Sequence, residues 1–237
     1  MSLQLIPTEI TMKYNKLLTS IALLLASTTA TYGQLMAIPI RTTVEAMDQH
    51  HTVQVSNSGD TPLYLNISLQ QVENPGMTPE KKTLISDIAQ PEMIFNPNRI
   101  TLGPKQKRDI KLLPLKSPQQ ETLYRLYIDP VVDIKAVGDG DKSKIHTPIA
   151  ISVGYGVLIH HVPPAAVHNH HWQHQCMPDG ITLRSTGSVH SKFTQLKSSN
   201  NTTLADSLNL YPGTPITLSV KQLSGQADNE TFTLRCS

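Results

Sequence analysis

From Ile149 to Val157 the chain alternates between large and small residues. Ile149, Ile151, Val153, Tyr155 and Val157 are large and apolar, and Ala150, Ser152, Gly154 and Gly156 between them are small. A strand sends successive side chains to opposite faces, so one face of this segment is a row of large groups and the other is nearly bare. Such a row must be buried, in this chain's own core or in a partner's. An ordinary half-buried strand places polar residues opposite its core face. Glycines and alanine there point instead to a strand whose large face is lent to another protein, with the small face left to pack its own domain.

The N-terminus has the order of an export signal. Lys13 and Lys16 precede an apolar run from Leu17 to Ala26, and small and polar residues follow as far as Gly33. Met12 reads as the start of that signal. The run falls short of the ~20 apolar residues needed to span a bilayer, so residues 1–33 are expected to be removed, leaving no stable membrane insertion. That removal takes away Lys13, Lys16 and Glu9, and the formal net charge of +2 becomes +1. A near-neutral chain lacks the basic face that nucleic-acid binding requires.

Beyond the signal the periodicity is that of strands. His51–Asn57, Leu63–Leu69, Ile94–Phe95, Asp109–Leu113 and Thr122–Asp129 are short β-rich runs, separated by Ser58-Gly59-Asp60, Asn74-Pro75-Gly76, Asn96-Pro97 and Gly103-Pro104. Asp139-Gly140-Asp141 reads as a turn into the strand above. This spacing predicts an immunoglobulin-like β-sandwich. Val162-Pro163-Pro164 cannot continue a central strand, which places a domain boundary there: 35–162, then a smaller β-sandwich at 163–237. Its strands are Gly180–Arg184, Val189–Phe193, Ile216–Val220 and Thr231–Arg235, and Leu196–Asn201 reads as an exposed loop. The only cysteines, Cys176 and Cys236, form an even pair in an exported chain and are expected to be disulfide-bonded. Closing a loop of that length contributes roughly 4 kcal/mol on chain-entropy grounds.

Three segments carry a resemblance. Met93–Pro104 contains Pro97-Asn-Arg99-Ile-Thr-Leu102-Gly-Pro104, Asp109–Leu112 is a charged strand, and Leu123–Ile128 contains Tyr124-Arg125. Together they resemble the N-terminal domain of periplasmic pilus chaperones, in which a P-x-R-x-x-L-x-P segment leads into a basic strand and then a Y-R strand. Gln71–Glu80 and the strand ending Tyr155–Ile159 look closest to the alternate, class 5, chaperones. The resemblance covers most of residues 38–163; the second domain matches mainly through Ile181–Ser188. Gly103-Pro104-Lys105 stands where the family usually has Pro-Gly. Leu158, Ile159, His160 and His161 stand where many members carry a lysine near the domain junction.

The resemblance implies an all-β protein of two immunoglobulin-like domains in an L or boomerang arrangement, working in the periplasm without a cofactor. Its partners would be pilus subunits, which look like sandwiches lacking one strand, and the outer-membrane usher to which they are delivered. Residues Ile149, Ile151, Val153, Tyr155 and Val157 would fill the groove of such a pilin by donor-strand complementation. Main-chain hydrogen bonds would give affinity and alternate side chains selectivity. The pilin's C-terminal carboxylate calls for a cation in the cleft; Arg41 matches the family's first-strand arginine, with His160 as a second choice. Self-association of the free chaperone is a further expectation.

Two other classes compete. His168, His170, His171 and His174 suggest a metal-handling protein, since imidazole binds zinc, copper and nickel, and His170 with His168 or His174 falls on one face of a strand. Their spacing matches no zinc motif, so the expectation is a strand of solvated imidazoles and no metal. An immunoglobulin-like pilus subunit or adhesin is the other alternative. Against it, Ala37-Ile-Pro-Ile40 reads as a first strand where a donor extension would stand. No phosphate loop, nucleophile elbow or Ser/His/Asp motif is present, so an enzyme is not expected.

Overall fold

The computed structural model of the protein describes residues 35–131, 153–198 and 204–236. In chain order the strands of the first half are β1 (Leu35–Ile38), β2 (Arg41–Glu45), β3 (Thr52–Asn57), β4 (Leu63–Val72), β5 (Lys82–Leu84), β6 (Met93–Asn96), β7 (Arg99–Leu102), β8 (Lys107–Pro114), β9 (Thr122–Pro130) and β10 (Tyr155–Val162). They form two sheets, ordered β1-β3-β8-β6 and β2-β10-β9-β4-β5, with β7 also pairing β4. Period-2 burial drives the packing. Val53 and Val55 of β3, Ile110 and Leu112 of β8, Leu65, Ile67 and Leu69 of β4, and Leu126 and Ile128 of β9 interleave between the sheets in one core. Pro39 lacks a ladder donor, and the chain crosses at Pro39-Ile40 from the first sheet to the second. The first strand read at Ala37–Ile40 therefore stops at Ile38, and a second strand begins at Arg41.

Asn57 closes the top of this sandwich. It is buried, and its amide donates to the carbonyls of Thr61 (2.7 Å), Leu102 (3.2 Å) and Gly103 (3.1 Å) and accepts from the Gly59 N–H (2.9 Å). The turn it holds runs from Gly103 to Gln106. There Lys105 takes the left-handed position usually given to glycine (φ 60°) and reaches the carbonyl of Ser58 and the carboxylate of Asp60. This is how Gly103-Pro104-Lys105 makes its turn without the Pro-Gly pair.

The second half contains β11 (Trp172–Met177), β12 (Gly180–Ser185), β13 (Ser191–Ser198), β14 (Ser207–Leu210), β15 (Ile216–Leu218), β16 (Gln222–Ala227) and β17 (Glu230–Arg235). They make sheets ordered β11-β12-β15 and β14-β13-β16-β17 around a second core. Trp172, Phe193 and Phe232 meet edge-on there, with ring centroids 5.0–5.5 Å apart. Cys176 and Cys236 are joined, tying the first strand of this sandwich to the end of the last. Two readings of this half are corrected. Leu196–Asn201 is not a loop at its start: β13 runs to Ser198 and Leu196 packs on the core. A bulge at Gln195 (φ 53°) breaks the alternation, and Gly225 opposite leaves room for the displaced backbone. The histidine segment is not one strand either, since β11 begins only at Trp172. The turn at 139–141 lies outside the described residues.

Replacing Asn57 with Ala would take the side-chain partner from the part-buried Gly59 N–H and from the buried Leu102 carbonyl. The expected loss is about 2–4 kcal/mol of stability at 1–3 kcal/mol per orphaned group, read by urea unfolding.

Candidate functional site

β10 is the strand on which the site depends, and its two ends are built differently. Its register with β9 is antiparallel from Tyr155, opposite Ile128, to His161, opposite Thr122. On its other side β2 pairs in parallel only from Leu158, opposite Arg41, to Val162, opposite Glu45, and the Leu158 N–H reaches the Ile40 carbonyl. Tyr155, Gly156 and Val157 thus have a strand on one side and an open edge on the other among the described residues.

The large face of β10 is the inward one. Val157 and Ile159 are fully buried in this chain's own core, and Tyr155 packs against it with its hydroxyl donating to the Leu35 carbonyl (3.1 Å). This corrects the expectation twice. Val157 belongs to its own domain and is not free to fill a partner's groove. The small face, not the large one, looks outward. That face is small because β9 leans over it: Gly156 stands opposite Tyr127, whose ring lies 3.4 Å from where a Cβ would be, and a Cβ on Gly154 would collide with the Asp129 carboxylate. Val153, on the large-residue phase and beyond the core, is 72% exposed. Ile149 and Ile151 lie outside the described residues.

Where β10 ends, the two sandwiches meet. Val72, Leu123 and Leu158 of the first bury Tyr211 of the second. Gly76 (φ 81°) packs on the same ring: a Cβ there would sit 3.3 Å from it and 3.1 Å from the Asn209 carbonyl. Beside this apolar contact lies a charged one. The Glu121 side chain is fully buried, and the Glu121 backbone N–H donates to the Ser188 carbonyl (2.8 Å). One carboxylate oxygen accepts from His160 Nδ1 (2.6 Å), and the other accepts from the His190 backbone N–H and His190 Nδ1 (both 2.7 Å). Burial by itself would raise the Glu121 pKa, but the hydrogen bonds from His160 and His190 outweigh it and hold the carboxyl down at about 2. Burial, and then the charge of Glu121, push the Tyr211 phenol up, while the charges of Arg41 and Arg125 work the other way.

His160 is therefore not a carboxylate anchor: it is buried and its Nδ1 is committed to Glu121. Arg41 opens β2, is exposed, makes no ion pair among the described residues, and lies near enough to Tyr211 to affect it. Arg125, by contrast, is held by Glu80 (2.7 and 3.2 Å). The remaining histidines do not converge as ligands. His168 Nε2 donates to the Pro163 carbonyl and His170 Nδ1 to the His190 carbonyl, while His171 and His174 are exposed. Sequence reasoning missed Glu121 and His190 because they lie 69 residues apart, and neither sits in a motif. The buried carboxylate directly before the Thr122 strand was the one available signal.

No protein-family profile matches the chain. Two curated relatives from Escherichia coli, both fimbrial subunits, align to parts of it. The one from CFA/I fimbriae is 26% identical over 111 residues, 47% of this chain and 46% of the relative. The one from CS1 fimbriae is 25% identical over 108 residues, 46% and 44%. The chain thus spans about half the length of the curated relatives it matches. Among solved structures, the class 5 fimbriae chaperone CfaA superposes with a TM-score of 0.65 at 17% identity, over 86% of this chain and 99% of that one. A chaperone–tip adhesin complex of CFA/I fimbriae biogenesis gives 0.65 at 20%, over the same shares. The CsuC–CsuE chaperone–tip adhesion complex of Acinetobacter baumannii gives 0.54 at 13%, over 86% and 98%. The chain has the all-β, two-sandwich fold of the fimbrial chaperones. Among the described residues no helix is long and apolar enough to cross a membrane.

The Glu121 shift fixes a sign. A carboxyl depressed from 4.5 to about 2 in the fold contributes stability that is fully present above pH 4.5 and is lost as pH falls toward 2. The size is about 3 kcal/mol at 1.36 kcal/mol per unit. A Glu121→Gln variant is expected to show a shallower fall in unfolding free energy between pH 4.5 and 2 than the parent, measured by urea titrations across that range.

Proposed function

We propose that this chain is a periplasmic assembly chaperone of the chaperone–usher pathway. It would bind a pilus subunit by completing the pilin's unfinished sandwich with its own backbone, and hand it to an outer-membrane usher. The observation that carries this is the half-open β10: its last five residues are held by β2, and among the described residues no strand pairs with the other edge of its first three. An exposed strand edge is a template for pairing with another chain. The segment upstream has the alternation to exploit it. We assign its reading face to Ile149, Ile151 and Val153, with Tyr155 at the margin, and the two working domains to residues 35–162 and 163–237.

Three buried aliphatic side chains would supply about 5–9 kcal/mol gross, at 1.5–3 kcal/mol each. Part of that is spent on ordering the strand, so each knob matters. Arg41 would receive the pilin's terminal carboxylate. A guanidinium can make two parallel charge-assisted hydrogen bonds to it. Release needs no nucleotide in this scheme, because a neighbouring pilin's extension can replace the lent strand. The names of the curated relatives point to fimbrial subunits, whereas the structures that match over 86% of the chain are chaperones; the wider match favours the chaperone.

Co-expression with a pilin and a pull-down test the proposal. A folded Ile151→Asp variant is expected to recover no pilin, since an ionised carboxylate in an apolar groove is strongly disfavoured. Recovery equal to the parent would reject strand lending. Arg41→Ala is expected to weaken pilin binding by about 10–100-fold, the worth of a charge-assisted hydrogen bond, with Arg41→Lys restoring part of it.

A further inference from the structure

Glu121 is a buried carboxylate without a permanent cation beside it. Among the described residues its ion-pair partners are His160 and His190, with no lysine or arginine. Buried charges in proteins are paired or coordinate metals, and imidazoles in their neutral form supply dipoles and no charge. The atoms that face this carboxylate are also a donor set for a metal ion. His160 Nδ1 lies 2.6 Å from one carboxylate oxygen and His190 Nδ1 2.7 Å from the other. Each of the three side chains offers a ligand atom within 4.8 Å of the other two. The backbone holds these donors in place. Glu121 immediately precedes β9, and its N–H is bonded to the Ser188 carbonyl (2.8 Å). His190 immediately precedes β13, and its N–H is bonded to Glu121 (2.7 Å). His160 lies within β10, flanked by β2 and β9. An ion about 2.0–2.2 Å from each donor requires them to part by less than an ångström. The His190 side chain is 31% exposed against 8% for His160, so it leaves a path for the ion and for a water as a further ligand. Ligation through Nδ1 moves each ring proton to Nε2. At His190 that proton has solvent within reach. At His160, whose Nε2 is buried without a hydrogen-bond partner, it stays unpaired. One unpaired neutral donor costs less than one buried charge without a counter-charge, so the balance favours the ion.

We propose that Glu121, His160 and His190 bind a divalent transition-metal ion, zinc first, where the two sandwiches meet. Imidazole suits zinc, copper and nickel, whereas calcium and magnesium take oxygen ligands. Two histidines, a glutamate and a water are an established ligand set for zinc. Glu121 and His160 come from the first sandwich and His190 from the second, so one ion ties the two together. The histidines from His168 to His174 are not its ligands. The site does not rest on strand lending, because all its protein ligands belong to this chain.

The test uses the full chain without an affinity tag, stripped of metal by a chelator and titrated with zinc chloride by calorimetry and thermal unfolding. One ion per chain is expected. The unfolding midpoint should rise by about 5–10 °C at a hundredfold excess of zinc over its dissociation constant. Glu121→Gln and His190→Asn are expected to lose both effects, and the His171→Ala/His174→Ala double variant, changed at two exposed positions, to keep both. Should the first two variants misfold, X-ray absorption at the zinc edge of the parent decides: two imidazole rings with oxygen ligands around the ion support the site. No uptake by the parent at micromolar zinc, uptake undiminished in His190→Asn, or a zinc environment of oxygen alone or of three or more imidazoles would overturn it.

Discussion

Everything in this molecule is arranged around the unequal pairing of one strand. β10 is central at its C-terminal end, where β2 and β9 flank it and its large residues fill the first core. At its N-terminal end only β9 flanks it among the described residues. The cause is local: Pro39 and Ile40 end β1 and redirect the chain, so β2 starts at Arg41 and reaches β10 no earlier than Leu158. One strand thus anchors its own fold and, among the described residues, leaves one edge of its first three residues unpaired.

The junction extends the same logic. Leu158 faces away from the first core and closes on Tyr211, and His160, two residues on, faces the same way and meets Glu121. The outward face of β10 is bare glycine where the edge is open. It becomes apolar, then polar, where the second sandwich arrives. A single period-2 pattern therefore encodes the core, the exposed edge and the interdomain contact in succession.

Much of the fold is readable in the chain because it rests on alternation. The β3, β4, β8 and β9 cores, the all-β class and the Cys176–Cys236 pair follow from patterns that local sequence carries. What is not readable depends on contacts distant in sequence. Val157 reads as free for a partner because nothing local says that its β9 neighbour Leu126 draws it into the core. His160 reads as a candidate anchor because the carboxylate that claims it is 39 residues upstream. A bulge hides β13. The small face of β10 reads as inward because the side chains that cover it, Tyr127 and Asp129, belong to another strand.

The central claim is that the segment carrying Ile149, Ile151 and Val153, continued by the open end of β10, becomes a strand of another protein's sandwich. Amide hydrogen exchange on this protein, alone and in the presence of a pilin, addresses it most directly. The account predicts that the amides that face the pilin in this segment are strongly slowed only in the complex, while those of Tyr155–Val157 that already pair with β9 are slow in both states. Unchanged exchange across the segment in a complex that is otherwise stable would contradict it.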